Sequence, residues 1–477
     1  MTEAFDYIVV GSGAGGASAA RTLADASASI AVVEEGPVVS TGQFSSRAFP
    51  SLARLYRDMG AQITQGRAPM LVLQGRCVGG STVVNSAIMR RMPEEVWGEW
   101  ESKHGLGNAF DYSQIESAAS AIEEELQVAS TPEAIWGGNN RLLSRASKLG
   151  GIAGSAIRRN APGCRGSARC NLGCPHGAKQ SMQLSYLPYA VTRGARVFPE
   201  ERAERVLFEG SRAIGVQTHR QTLEARRAVL LAASAVETPR LLWRSGVRSG
   251  HLGRHFQAHP GMAVVGLFEQ EVRLGFGATQ GFELDGLRSD GRVKIETLAV
   301  PPETFFAGLP GVGRDWLALM GEFARSAVWV LPLRSYAEGD VGVGRRQRSI
   351  RFALDPRDLP NLRRGLRRAV DLMFEAGARE VVCPVYGLPP RLRAAEASLI
   401  DQATDDPTAY PLALSHLFGS ARMSSRRGEG VVGTDFRVRD TENLYVVDSS
   451  IFPTNLGVNP QLTIMALARI AAERIAG

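Results

Sequence analysis

DYIVVGSGAGGASAARTLADASASIAVVEEG, Asp6 to Gly36, decides the fold. A short β-rich apolar run (YIVVGSG) leads into a glycine turn. A segment of helical composition follows (ASAARTLAD), and a second β-rich run (SIAVVEEG) closes the unit. The glycines stand where such a turn needs them. Gly11 permits the tight turn, Gly13 lets a pyrophosphate approach the backbone at the helix N-terminus, and Gly16 lets helix pack on strand. Glu34 ends the second strand about twenty residues on, where an acid grips ribose hydroxyls. Strand, glycine turn, helix, strand and acid together point to dinucleotide binding, without choosing between nicotinamide and flavin forms.

The chain has 477 residues, too many for a single hydrophobic core. Its formal net charge of +7 comes from arginines scattered along the chain. No basic block with interleaved aromatics is present, which argues against nucleic acid as a partner. The start, MTEAFDYIVV, lacks the basic and apolar pattern of an export signal, and no apolar run is long enough to span a bilayer. The expectation is a soluble, cytoplasmic protein with no membrane span. An odd number of cysteines, five, fits that setting better than a disulfide framework.

Further along, 110–127 carries a helix start signal and helical spacing. Residues 145–180 are rich in Gly, Cys and Pro and read as irregular. Residues 195–235 suggest a meander returning to a buried strand, 266–355 sheet and loop, and 357–378 a basic helix. From 410 onward the pattern reverts to strand, turn and helix, with the last residues reading as an amphipathic helix. The two ends therefore read as one nucleotide-binding domain and the middle as an inserted partner.

The segment QGRCVGGSTVVNSAIMRRMPEEVWGEW (Gln74 to Trp100) places two glycines and two hydroxyls before a small-residue run. It resembles the first signature of the glucose–methanol–choline (GMC) flavoprotein oxidoreductases. SAVETPRLLWRSG (Ser234 to Gly246) resembles the second signature, and GRHFQAHPG the segment that follows it. LSHLFGSARM, NLYVVDSSIFPT and GVNPQLTIMALA resemble the C-terminal blocks, in order. The resemblance is thin over roughly 266–400. It implies an α/β (α+β overall) fold: a Rossmann-like FAD-binding domain, discontinuous over 1–90, 190–265 and 425–477. The inserted substrate domain, built on an antiparallel sheet, takes 91–189 and 266–424 with its connecting loops.

The resemblance also implies the chemistry. A CH–OH group is oxidised to an aldehyde or ketone, with hydride passing to flavin N5 and the electrons then to dioxygen or another acceptor. His416 matches the catalytic histidine, which accepts the hydroxyl proton. Asn459 matches its partner and positions the oxygen. Ser81 and Asn85 match flavin-lining residues, Val206 the backbone contact to the adenine edge, and Asp448 and Ser449 a turn near ribityl and pyrophosphate. Val84 occupies the place where some relatives hold a histidine bonded covalently to FAD, so non-covalent FAD is expected. His255 and His259 fit a structural role around the flavin domain.

Cys164, Cys170 and Cys174 have C-x5-C-x3-C spacing. Three thiolates in a glycine-rich loop suit an iron–sulfur cluster, and three free thiols suit a packed loop; the second reading is preferred. For substrate, a sugar-like or aminoglycoside alcohol of antibiotic biosynthesis is favoured. An aliphatic alcohol or sterol oxidase, or an iron–sulfur-containing sugar dehydrogenase subunit, are the alternatives. Glu283, Asp285 and Glu296 are carboxylates available to line a polar pocket.

Overall fold

The structure, a computed structural model, describes residues 3–288, 292–346 and 348–477. The opening unit folds as its pattern demands. The strands Glu3–Val10 and Ile30–Val33 lie parallel, with Tyr7 beside Ile30 and Val10 beside Val33, and the helix Ala14–Asp25 connects them. Both strands are apolar runs because both faces of this sheet are covered, as parallel sheets require. Ile8, Val9, Val32 and Leu230 are all fully buried.

The first sheet has seven strands. Arg196–Phe198, Ile30–Val33, Glu3–Val10 and Thr222–Leu231 run parallel in that order, and Leu444–Val446 pairs with the far half of Thr222–Leu231. The near half pairs antiparallel with Arg212–Thr218, which in turn pairs with Ala203–Glu209, the expected meander. The helix Tyr112–Glu125 begins at Asp111, whose carboxylate accepts from Gln114 N at 3.0 Å in a capping box. The last helix, Gln461–Ala476, packs against Ala14–Asp25 and Tyr112–Glu125. It is not amphipathic over its first three turns. Leu462, Met465, Ala466, Leu467, Ala468 and Ala471 are buried on several sides, because neighbours cover it from more than one direction.

The second sheet has nine strands. Its long member, Gln257–Leu267, pairs antiparallel with Ser326–Pro332, Glu380–Val382 and Ala413–Phe418. Leu71–Val72 adds to Ala413–Phe418 in parallel, and Ile295–Thr297, Phe282–Leu284 and Gly154–Ala156 extend the other side. The expected basic helix is Asp358–Glu375, which lays Leu362, Leu366, Ala369, Val370 and Met373 on this sheet. Gln257–Leu267 and Leu71–Val72 were expected in the nucleotide-binding part; their hydrogen bonds put them in the second sheet. Strand partners are chosen far along the chain, so a local pattern could not assign them. The region read as sheet and loop also holds the helices Pro302–Ala307 and Gly313–Gly321. Gly313–Gly321 buries little beyond Leu319.

Candidate active site

A cavity of about 810 Å³ runs between the two sheets. At one end it is lined by Gly11, Gly13, Glu34 and the segment Arg202 to Arg205. At the other it is lined by His416 and Asn459, with Ser81, Asn85, Asp448 and Ser449 between.

The glycine loop is built for close approach. Gly11 has φ +102°, and a Cβ there would lie 2.2 Å from the Ala232 carbonyl oxygen. A Cβ on Gly16 would meet Gly11 O at 1.9 Å, so this glycine serves helix-on-strand packing as expected. Gly13 differs: its nearest neighbour would be Gly80 Cα at 4.0 Å, so the space beside it belongs to the cavity. The Glu34 carboxylate accepts from Ser12 N (3.1 Å), Ser12 Oγ (2.6 Å) and Gly36 N (2.8 Å). Ser12 Oγ accepts in turn from Gly79 N at 2.9 Å, so Glu34 ties two glycine loops together at the cavity wall. Burial pushes the Glu34 carboxyl up, against the pull of the Ser12 hydroxyl.

Asp448 is likewise committed inward. It accepts from Thr238 Oγ1 (2.5 Å), Ser234 N (3.0 Å) and Ser450 N (2.8 Å), and burial raises its pKa. It holds the loop that presents Ser449. Ser81 Oγ accepts from Gly75 N at 3.0 Å, and Asn85 donates to Gln461 at the start of the last helix. Val206 lies outside the cavity: its side chain is buried in the first core and its N–H donates to Ser245 Oγ at 2.8 Å. The strand leaves the cavity as it advances, so its first residues, around Ala203, supply the lining. Glu283, Asp285 and Glu296 do not line it either; they face Lys294 and Arg90 behind its wall.

The reactive end depends on neighbouring strands. His416 lies on Ala413–Phe418, and the pairing register with Gln257–Leu267 shifts between Ala258 and Pro260, a bulge centred on His259. His259 Nδ1 stands 3.1 Å from His416 Nδ1, with the two rings perpendicular. The Gly457 N–H donates to His259 Nε2 at 2.9 Å. A neutral His259 therefore carries its proton on Nδ1 and donates it to His416, leaving His416 with its own proton on Nε2. Burial pushes His416 down to about 4, and the Lys294 ammonium pushes the same way. Burial, then His416, hold His259 well below its ordinary value too. The pair is thus neutral at pH 7, not poised near neutrality. Asn459 Oδ1 accepts from Lys294 Nζ at 3.2 Å, so its Nδ2 is left for the cavity.

Sequence reasoning missed Lys294 and Gln280 and took His259 as structural. A bulge and a buried ion pair leave no local signature.

The cysteine loop holds no site for a cluster. Arg159 lies among the sulfurs, with Nη1 donating to Cys164 Sγ at 3.7 Å and Nη2 to Cys170 Sγ at 3.1 Å. The void lined by Cys164, Cys170 and Cys174 is about 10 Å³, room for one water at most. Among the described residues no group of three or more His, Cys, Asp or Glu is arranged to hold a metal ion.

The family models described as GMC oxidoreductase match residues 5–261 and 344–468. This chain belongs to the GMC oxidoreductase family. It is an FAD-dependent oxidoreductase acting on CH–OH donors. An uncharacterized GMC-type oxidoreductase of Mycobacterium tuberculosis is 37% identical over 98% of this chain and 75% of its own. A long-chain-alcohol oxidase of Arabidopsis thaliana is 28% identical over 99% of this chain and 66% of its own. The fold matches that of formate oxidase from Aspergillus oryzae with a TM-score of 0.76, covering 99% of this chain and 98% of that one at 15% identity. Among the described residues no helix is long and apolar enough to cross a membrane. The cavity suits FAD: an open cradle beside Gly13 at one end, an acid and arginines beside it, and the histidine–asparagine pair at the other.

Proposed function

We propose that this enzyme oxidises the CH–OH group of a small polyhydroxylated alcohol, sugar-like or of aminoglycoside type, with non-covalent FAD. The observation that carries the reading is that His416 and Asn459 line one cavity with Gly11, Gly13 and Glu34. In this reading the first sheet is the FAD-binding domain and the second the substrate domain. Val84 lines the cavity and has no atom able to bond a flavin covalently. Gln280 lines it with an amide, which supports a polar substrate over a long aliphatic one. The electron acceptor is dioxygen or another acceptor, and the location is cytoplasmic.

FAD, when bound, supplies the two-electron acceptor. Asn459 Nδ2 donates to the alcohol oxygen and fixes it. His416 takes the hydroxyl proton at Nε2, but first its own proton must move to Nδ1. That move requires His259 to carry its proton on Nε2, against the Gly457 N–H. The cost is one buried hydrogen bond, about 1–3 kcal/mol. The alcohol's binding selects the base form of the pair.

Mixing the yellow protein anaerobically with a panel of alcohols tests the reading. Flavin bleaching by polyols or aminocyclitols, with recovery on admitting air, is the expected result. Bleaching by none of them would end it, and bleaching by long-chain alcohols alone would replace the substrate class.

A further inference from the structure

Lys294 lies behind the reactive end of the cavity and is only 1% exposed. Its Nζ donates to Asn459 Oδ1 at 3.2 Å and sits 2.6 Å from Glu283 and 2.8 Å from Glu296. Glu283 also faces Arg90 at 3.1 Å. The other oxygen of Glu296 accepts from Gln280 Nε2 at 2.8 Å. Burial alone would push the Lys294 ammonium down; Glu296 and Glu283 hold it above an ordinary lysine, so it stays charged.

Asn459 and Gln280 both line the cavity. An amide offers a donor end and an acceptor end, and a partner of one kind decides which end is left over. Lys294 has donors only, so it takes Asn459 Oδ1 and turns Nδ2 toward the cavity. The Glu296 carboxylate, ion-paired to Lys294, accepts from Gln280 Nε2 and so turns Oε1 the same way. The two choices are linked, because Lys294 contacts both Asn459 Oδ1 and the carboxylate that holds Gln280. A neutral partner would leave either amide free to turn over at little cost; a buried ion cannot be left facing the wrong end.

We propose that Lys294 is a positioning residue that sets the polarity of two cavity amides, one donor and one acceptor. The substrate is then an alcohol with a second hydrogen-bond donor, a hydroxyl or amine, beside the reacting hydroxyl. The proposal rests on the alcohol-oxidising reading above and names the substrate feature it leaves open. Asn459 Nδ2 meets the reacting oxygen. Gln280 Oε1 accepts from the second group, and a substrate lacking that group leaves a buried acceptor unpaired.

The test compares 1,2-butanediol with 1-butanol as reductants of the holoenzyme, by anaerobic flavin reduction. The wild-type protein should favour the diol more than tenfold in second-order rate. Gln280→Leu removes the acceptor and should bring the ratio toward one. Glu296→Gln keeps the volume, lets the Gln280 amide turn, and should do the same. Lys294→Met strands two carboxylates and risks misfolding, so these two variants carry the rate comparison. Where Lys294→Met does fold, the His416 Cε1–H resonance should titrate higher than in wild type, because the neighbouring cation is gone. A wild-type ratio near one, a ratio unmoved in both Gln280→Leu and Glu296→Gln, or an unmoved His416 titration would overturn the proposal. If neither alcohol reduces the flavin, the small-alcohol substrate class proposed above is what fails, and the titration still decides the role of Lys294.

Discussion

The sharpest consequence of the site concerns the charge of His416. Its pKa falls from 6.5 to about 4 through burial and then through the Lys294 ammonium. The other groups facing it are His259, itself neutral, and the Asn459 amide beside Lys294. Each tenfold loss of proton affinity corresponds to about 1.4 kcal/mol. The ring lies at the cavity wall and is partly exposed, so solvent screening reduces the whole effect to about 2–3 kcal/mol. The sign follows from proton counting. Between pH 6.5 and 4 the unfolded chain holds a proton on this histidine that the folded chain lacks. Stability from this group is therefore complete above the unfolded value, declines as pH falls, and levels off below the folded value. The chain has seven histidines, so selective labelling gives seven Cε1–H resonances, and His416→Asn identifies the one that matters. In the apoprotein that resonance should stay at its neutral position from pH 7.5 down to 5.5. A second measurement compares denaturation of wild type and His416→Asn at pH 7.5 and 5.0; wild type should lose about 2 kcal/mol more on acidification. A midpoint near 6.5 in the resonance, or no difference between the proteins, would refute the account of burial and Lys294.

Three other outcomes are expected. His416→Ala should slow flavin reduction by the best alcohol more than tenfold, as for a lost general base, with FAD still bound by its absorbance. Gly11→Ala forces a methyl to within 2.2 Å of a carbonyl at φ +102°, so it should lower the melting temperature and abolish FAD retention on gel filtration. Purified protein should contain less than about 0.1 iron per chain by elemental analysis, because Arg159 lies where a cluster would need space; stoichiometric iron would overturn that description of the cysteine loop.

The nucleotide-binding half was legible from Asp6 to Gly36. A glycine turn, a β-rich run on either side and one acid are local facts, and the chain there folds on its near neighbours. The capping box at Asp111 and the helix Asp358–Glu375 were legible for the same reason. The motifs also named His416 and Asn459 and placed most of the cavity wall. What the linear pattern left undetermined was set by pairing between distant strands. Gln257–Leu267 joined the second sheet, its bulge brought His259 against His416, and Ile295–Thr297 brought the neighbouring Lys294 behind Asn459. The Ala203–Glu209 strand turned Val206 away and left Ala203 at the cavity. Hydrophobic period tells a segment what it becomes, because that depends on residues a turn or two away. Which proton a histidine carries, and which end an amide presents, depends on partners that only the folded chain brings within hydrogen-bonding distance.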